Sequence, residues 1–127
     1  MSSLPHLKCL GIGFNWNFTD AGLSTLSNDL KMLDLSSANF TARGILGVLE
    51  RMQNLEILGV AFLYCLDTDF ALSAIEIVKL RPNKLSLKLG IHDTKIDIEK
   101  VQNLSPKTKF TEDPEDAVQF QFSSYNI

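Results

Sequence analysis

The sequence predicts an α/β repeat fold in which strand and helix alternate, about four such units stacking on one shared core. Three observations lead there. Leucine-type residues recur at the spacing i, i+3, i+5. A second apolar pattern, spaced 0, 5, 8, follows each of these sets in the same order. The sets begin at 7, 30, 55 and 84, intervals of 23, 25 and 29 residues, each about the length of one strand plus one helix. One strand and one helix bury little alone, so such units are stable only when neighbours complete a common core.

The strand-like sets come first in each unit. Leu7, Leu10 and Ile12 form the first, Leu30, Leu33 and Leu35 the second, and Leu55, Leu58 and Val60 the third. The fourth is degenerate: Leu87 and Leu89 take its last two places and Lys84 its first. Apolar and polar residues alternate at the end of each set, the period of a half-buried strand. The helical sets follow. Phe18, Leu23 and Leu26 give the spacing 0, 5, 8, and Phe40, Ile45 and Val48 repeat it, as do Ile96, Val101 and Leu104. Leu66, Leu72 and Ile75 follow it with one extra residue. Thr19 or Asp20 is expected to cap the first helix, with Ala21–Leu26 inside it, and Asp67 and Asp69 to start the third.

Two stretches, "NFTDAGLSTL" and "NFTARGILGV", nearly repeat. Each contains an N-glycosylation pattern, at Asn17 and Asn39. The repeat accounts for both: Phe18 and Phe40 occupy the same buried position of successive units, and Thr19 and Thr41 enter the helices. The asparagines then fall in turns, where their side chains favour local hydrogen bonds.

"LKCLGIGFNWNFTDAGLSTLS" resembles the leucine-rich repeat family, and within it the cysteine-containing, F-box-associated subtype. Leu7, Leu10 and Ile12 match the family's strand, and Asn15 stands at its Cys/Asn position. Phe18-Thr19-Asp20, Gly22-Leu23 and Leu26 match its helix. The second unit carries Ala38 and the third Leu63 at the Cys/Asn position, so the ladder that this position normally builds is mostly missing. The resemblance covers about Leu4–Leu104. It implies a right-handed leucine-rich-repeat solenoid with a concave parallel sheet, and members that mostly bind proteins rather than catalyse reactions.

Residues 1–110 are read as this solenoid and residues 111–127 as an acidic tail or C-terminal cap. "MSSLPHL" shows no polar cap, so the array is expected to be part of a longer one or to associate end to end through its first edge. Phe110 is expected in a last, isolated strand. "AVQFQF" at Ala117–Phe122 alternates like a closing strand, with a mobile tail as the other reading.

Residues between the buried leucines of each strand face the concave side. The inferred register gives three rows: Cys9, Met32, Ile57, Ser86; then Gly11, Asp34, Gly59, Lys88; then Gly13, Ser36, Ala61, Gly90, which is uniformly small. Met32, Asp34, Ile57 and Lys88 are therefore candidate protein-binding residues. The loops leaving the strands supply four more, Phe14, Trp16, Phe62 and Tyr64. Phe14 and Phe62 are equivalent in their units, and stacked units would align them along one rim. Aromatic side chains there either anchor an interface or, for Phe14 and Phe62, roof the core.

Composition narrows the function classes. The 127 residues are 45% hydrophobic and 21% charged with a net charge of -3, and no basic run interleaved with aromatics suggests a nucleic-acid partner. The longest apolar run, Ile57–Leu66, is too short for a membrane span, which needs about 20 residues. No signal peptide is evident, and two cysteines make no disulfide scaffold, so a cytoplasmic location is expected. No phosphate loop, metal spacing or cofactor motif occurs. His6 and His92 are expected to lie four strands apart. Cys65, in "YCLDTD", has no evident activating base and reads as a half-buried structural cysteine rather than a nucleophile. The expectation is a non-catalytic protein–protein interaction scaffold without cofactor, in its most specific form the substrate-recognition part of a ubiquitin-ligase adaptor. The alternatives are a secreted or surface recognition domain glycosylated at Asn17 and Asn39, and a hydrolase using Cys65.

Overall fold

Short runs of alternating apolar residues become strands, and the runs with helical spacing become helices. The computed structural model describes residues 9–11, 19–36, 40–83 and 85–112. Five strands, β1 (Cys9–Gly11), β2 (Met32–Asp34), β3 (Ile57–Gly59), β4 (Leu87–Gly90) and β5 (Thr108–Thr111), alternate with α1 (Asp20–Leu23), α2 (Ala42–Arg51), α3 (Thr68–Lys79) and α4 (Ile98–Val101). The protein is thus α/β. All strand pairs are parallel and the sheet order is β1-β2-β3-β4-β5, so each unit lies beside its sequence neighbour. The helices neighbour one another in the same order.

The core lies between sheet and helices. Leu33, Leu35, Leu58, Val60, Leu89 and Ile91 enter it from the strand segments, with Ile45, Val48, Leu49, Phe70, Ala74 and Val78 opposite. Thr41 caps α2 by accepting from Gly44 N at 3.1 Å, and Asp67 caps α3 by accepting from Phe70 N at 3.1 Å. Each such cap satisfies one of the amide donors that a helix leaves open at its start. Asp20 does not cap its own helix. Its carboxylate accepts from Thr41 N at 3.1 Å and from the Thr41 hydroxyl, joining the start of α1 to that of α2.

Four expectations are corrected. First, the last strand is not isolated: β5 pairs with β4 over four residues and extends the sheet to five strands. Second, the fourth strand is shifted by two residues. Leu58 pairs with Leu89 and Gly59 with Gly90, so the buried set is Leu87, Leu89 and Ile91. A two-residue slip keeps every side chain on its own face, so alternation alone cannot detect it. Third, α3 needs no extra residue. Leu66, Ala71 and Ala74 carry the exact spacing 0, 5, 8 and are all fully buried, whereas Leu72 is 41% exposed. Leu104, 52% exposed, likewise drops out of its set. Fourth, α1 is a single turn ending at Leu23, and its N-cap Thr19 makes no side-chain cap bond.

The two glycines of α2 give a local test of this packing. A Cβ at Gly47 meets nothing within 4 Å, so Gly47→Ala is expected to stabilise the protein by about 0.5–1 kcal/mol through helix propensity alone. A Cβ at Gly44 collides with the Asp20 carboxylate, which two bonds to Thr41 hold in place. Gly44→Ala is expected to destabilise by about 1 kcal/mol, because the lost cap linkage outweighs the propensity gain. Thermal melts of the two variants should move in opposite directions.

Candidate functional site

The corrected register redraws the sheet face. The first row becomes Cys9, Met32, Ile57, Lys88 and Lys109, and the second Gly11, Asp34, Gly59, Gly90 and Thr111. Lys88 therefore stands beside Ile57 rather than Gly59. Met32, Ile57 and Lys88 are each half-buried and adjacent, and the Cys9 thiol donates to Met32 Sδ at 3.4 Å. This row grades from thioether and aliphatic at one end to cationic at the other.

Asp34 does not belong to an exposed face. Only 1% of it is accessible, because its carboxylate folds over Gly59, where a Cβ would lie 2.8 Å from Asp34 Oδ1. Asp34 Oδ1 accepts from Ser36 N at 3.0 Å, and Ser36 Oγ accepts from Ala61 N at 3.0 Å. Ser36 thereby ties the end of β2 to that of β3, while the Asp34 carboxylate fixes the backbone that presents Ser36. The third row is not uniformly small either. Phe62 N donates to His92 O at 2.8 Å, which brings His92 rather than Gly90 alongside Ala61.

The loop leaving β3 holds the exposed aromatics. Tyr64 is 60% exposed, and Phe62, at 37%, does not roof the core. Its ring meets His92 edge to face, with centroids 5.3 Å apart. Phe62 has φ 65°, and Asp93, equally far beyond Gly90, has φ 59°. Both loops thus turn through the left-handed region. Aspartate tolerates that region through local hydrogen bonds, whereas a bulky residue there is strained. The aromatic ring is kept at a backbone cost, a kind of strain that clusters at functional sites. Phe14, Trp16, Asn17 and Asn39 lie outside the described residues, as do His6 and the stretch Ala117–Phe122.

The sequence marks His92 only as a residue remote from His6. Ile91, taken as the last buried position of β4, would have placed it next to the rim. Its Nδ1 lies 3.1 Å from Glu112 O, so a backbone carbonyl holds the ring that supports Phe62.

Cys65 lies two residues beyond Leu63, and its thiol donates to Phe40 O at 3.3 Å across to the preceding loop. Burial pushes the thiol above its ordinary pKa, and Asp20 and Asp67 push it further, against the lowering by backbone hydrogen bonds of Cys65 and Ala42. The residue is nonetheless exposed, so access does not limit its reactivity. A raised pKa leaves less thiolate at neutral pH. Iodoacetamide is therefore expected to label Cys65 more slowly than a free cysteine peptide at pH 7. The rate should still be rising at a pH where the peptide has levelled off. Labelling faster than the peptide at pH 7 would restore the nucleophile reading.

No group of three or more His, Cys, Asp or Glu side chains among the described residues is placed to hold a metal ion. Among those residues, no helix is long and apolar enough to cross a membrane. Compared with models of protein families, with curated proteins and with solved structures, the chain matches none of them.

Proposed function

We propose that this chain is a non-catalytic protein-interaction scaffold of the leucine-rich-repeat type, binding its partner along the loops that leave the strands. The observation that carries the reading is the pair Phe62 and Tyr64: two exposed aromatic rings, one on strained left-handed backbone. Aromatic side chains of this kind bury large area at low entropic cost and dominate protein interfaces. The half-buried row Met32, Ile57 and Lys88 on the sheet extends the contact surface. The sequential parallel sheet, with helices in the same order, is the arrangement a leucine-rich solenoid requires. Cys9 and Cys65 are both free thiols, which fits a reducing compartment such as the cytoplasm.

The experiment is affinity capture from a cytoplasmic extract, with the wild-type chain and a Phe62→Asn, Tyr64→Ala double variant run side by side. Partners held by the rim are expected to be captured by the wild type and lost from the variant. Equal capture by both removes the rim from the reading. The subtype resemblance adds a sharper version, the substrate-recognition part of a ubiquitin-ligase adaptor. In that version cullin-adaptor components appear among the captured proteins, and their absence rules it out for this chain alone.

A further inference from the structure

Among the described residues the sheet ends at β5, which pairs with β4 alone. Leu87 N donates to Lys107 O at 2.7 Å, and Ile91 N to Thr111 O at 2.8 Å. Along an extended chain the backbone polar groups of successive residues point to opposite sides in the plane of the sheet. Lys107, Lys109 and Thr111 therefore face β4, and the N–H and C=O groups of Thr108 and Phe110 face away from it. An open row of this kind is a template for one more strand. A groove of about 520 Å³ lies beside it, lined by Thr108, Lys109 and Phe110 together with Gln102, Asn103 and Pro106. The helical layer stops short as well: α4 precedes β5, and no helix follows β5 among the described residues. The open end of a stacked array needs a covering element.

We propose that the β5 edge is a strand-docking surface and that residues 117–122 of this chain, "AVQFQF", occupy it antiparallel to β5. The connection selects this occupant and its direction. Five residues, "EDPED" at 112–116, separate Thr111 from Ala117. A parallel return needs about a dozen or more, whereas a hairpin loop of about four or five is common and is built around a type I turn. Asp113-Pro114 suits that turn, which favours Asp at its first place and Pro at its second. A loop over 112–116 sets Ala117 opposite Thr111, Val118 opposite Phe110, Gln119 opposite Lys109 and Phe120 opposite Thr108. The faces then agree. Phe110 and Thr108 are buried and meet Val118 and Phe120, while the exposed Lys109 meets Gln119. A one-residue slip would turn Val118 and Phe120 to the exposed face, which fixes the register. In this register the outward backbone groups of Thr108 and Phe110 bond to Phe120 and Val118. The surface lies apart from the Phe62–Tyr64 rim and stands or falls independently of the reading above.

The test is amide hydrogen exchange by NMR on the full chain and two proline variants. In the wild type the Thr108 and Phe110 amides are expected to exchange within about tenfold of Lys109 and Thr111, whose amides face β4. Val118→Pro removes a donor aimed at β5. It is expected to speed exchange at Thr108 and Phe110 on the order of 100-fold. Gln119→Pro removes an N–H on the far side of the added strand, where proline is tolerated, and should leave both amides within about threefold of the wild type. Lys109 and Thr111 report in each variant that β5 itself is intact. A nuclear Overhauser contact between Lys109 Hα and Gln119 Hα is expected in the wild type. Fast exchange of Thr108 and Phe110 in the wild type overturns the proposal, as do equal effects of the two prolines. Protection that falls on dilution also overturns it, by assigning the edge to a second copy of the chain.

Discussion

Leu58→Ala is expected to destabilise the protein by about 3–4 kcal/mol, whereas Leu72→Ala should cost less than about 0.5 kcal/mol. The two residues are the same amino acid and both match an apolar repeat position in the sequence. Their surroundings differ entirely. Leu58 is fully buried at the centre of β3, paired with Leu33 on one side and Leu89 on the other. Neighbours in the middle of a parallel sheet relax little, so truncation there leaves a cavity as well as losing transfer free energy. Leu72 is 41% exposed on α3, whose buried side is Phe70, Ala71, Ala74, Ile75 and Val78. Urea denaturation monitored by circular dichroism separates the outcomes: a large drop in midpoint for the first variant and almost none for the second. Comparable losses would mean that α3 is rotated about its axis from the orientation described.

That contrast shows which parts of the fold are legible in the sequence. The spacing of Leu30, Leu33 and Leu35 and of Leu55, Leu58 and Val60 places β2 and β3 in correct register, because turns of similar length separate them from their helices. Helix entry is legible too: Asp67 and Thr41 are capping residues by chemistry and both cap. Legibility fails where two solutions share one pattern. Leu87-x-Leu89 and Leu89-x-Ile91 are both strand-like and put the same residues inside, and only the pairing with β3 chooses between them. A leucine-based template also overlooks alanines, although Ala71 and Ala74 are fully buried members of the inward side of α3. The candidate site suffers the same limits. Exposure of Tyr64 follows from a loop position. The burial of Asp34 depends on Gly59 leaving room for its carboxylate, a cross-strand fact with no local signal. The positive φ of Phe62 is equally invisible, since phenylalanine is not a residue that advertises the left-handed region.

Tyr64→Ala and Phe62→Asn are each expected to weaken partner binding roughly 30-fold, about 2 kcal/mol, with little change in stability. The two halves of that statement have separate physical origins. Tyr64, 60% exposed, contributes little core packing to lose, so its ring matters only when a partner covers it. Phe62 does contact His92, and an edge-to-face pair contributes about 0.5–1.5 kcal/mol. Against this stands the strain of a bulky residue at positive φ, on the order of 1–2 kcal/mol, which asparagine tolerates far better. The two nearly cancel, so Phe62→Asn should melt within about 1 kcal/mol of the wild type. A ring whose removal leaves stability unchanged is not held there by the fold. If Phe62→Asn instead destabilises by several kcal/mol and binding survives in the folded fraction, the ring is a packing element and the rim loses its anchor. Measuring the melt and the dissociation constant on the same preparation, with the partner recovered by capture, distinguishes a displayed side chain from a structural one.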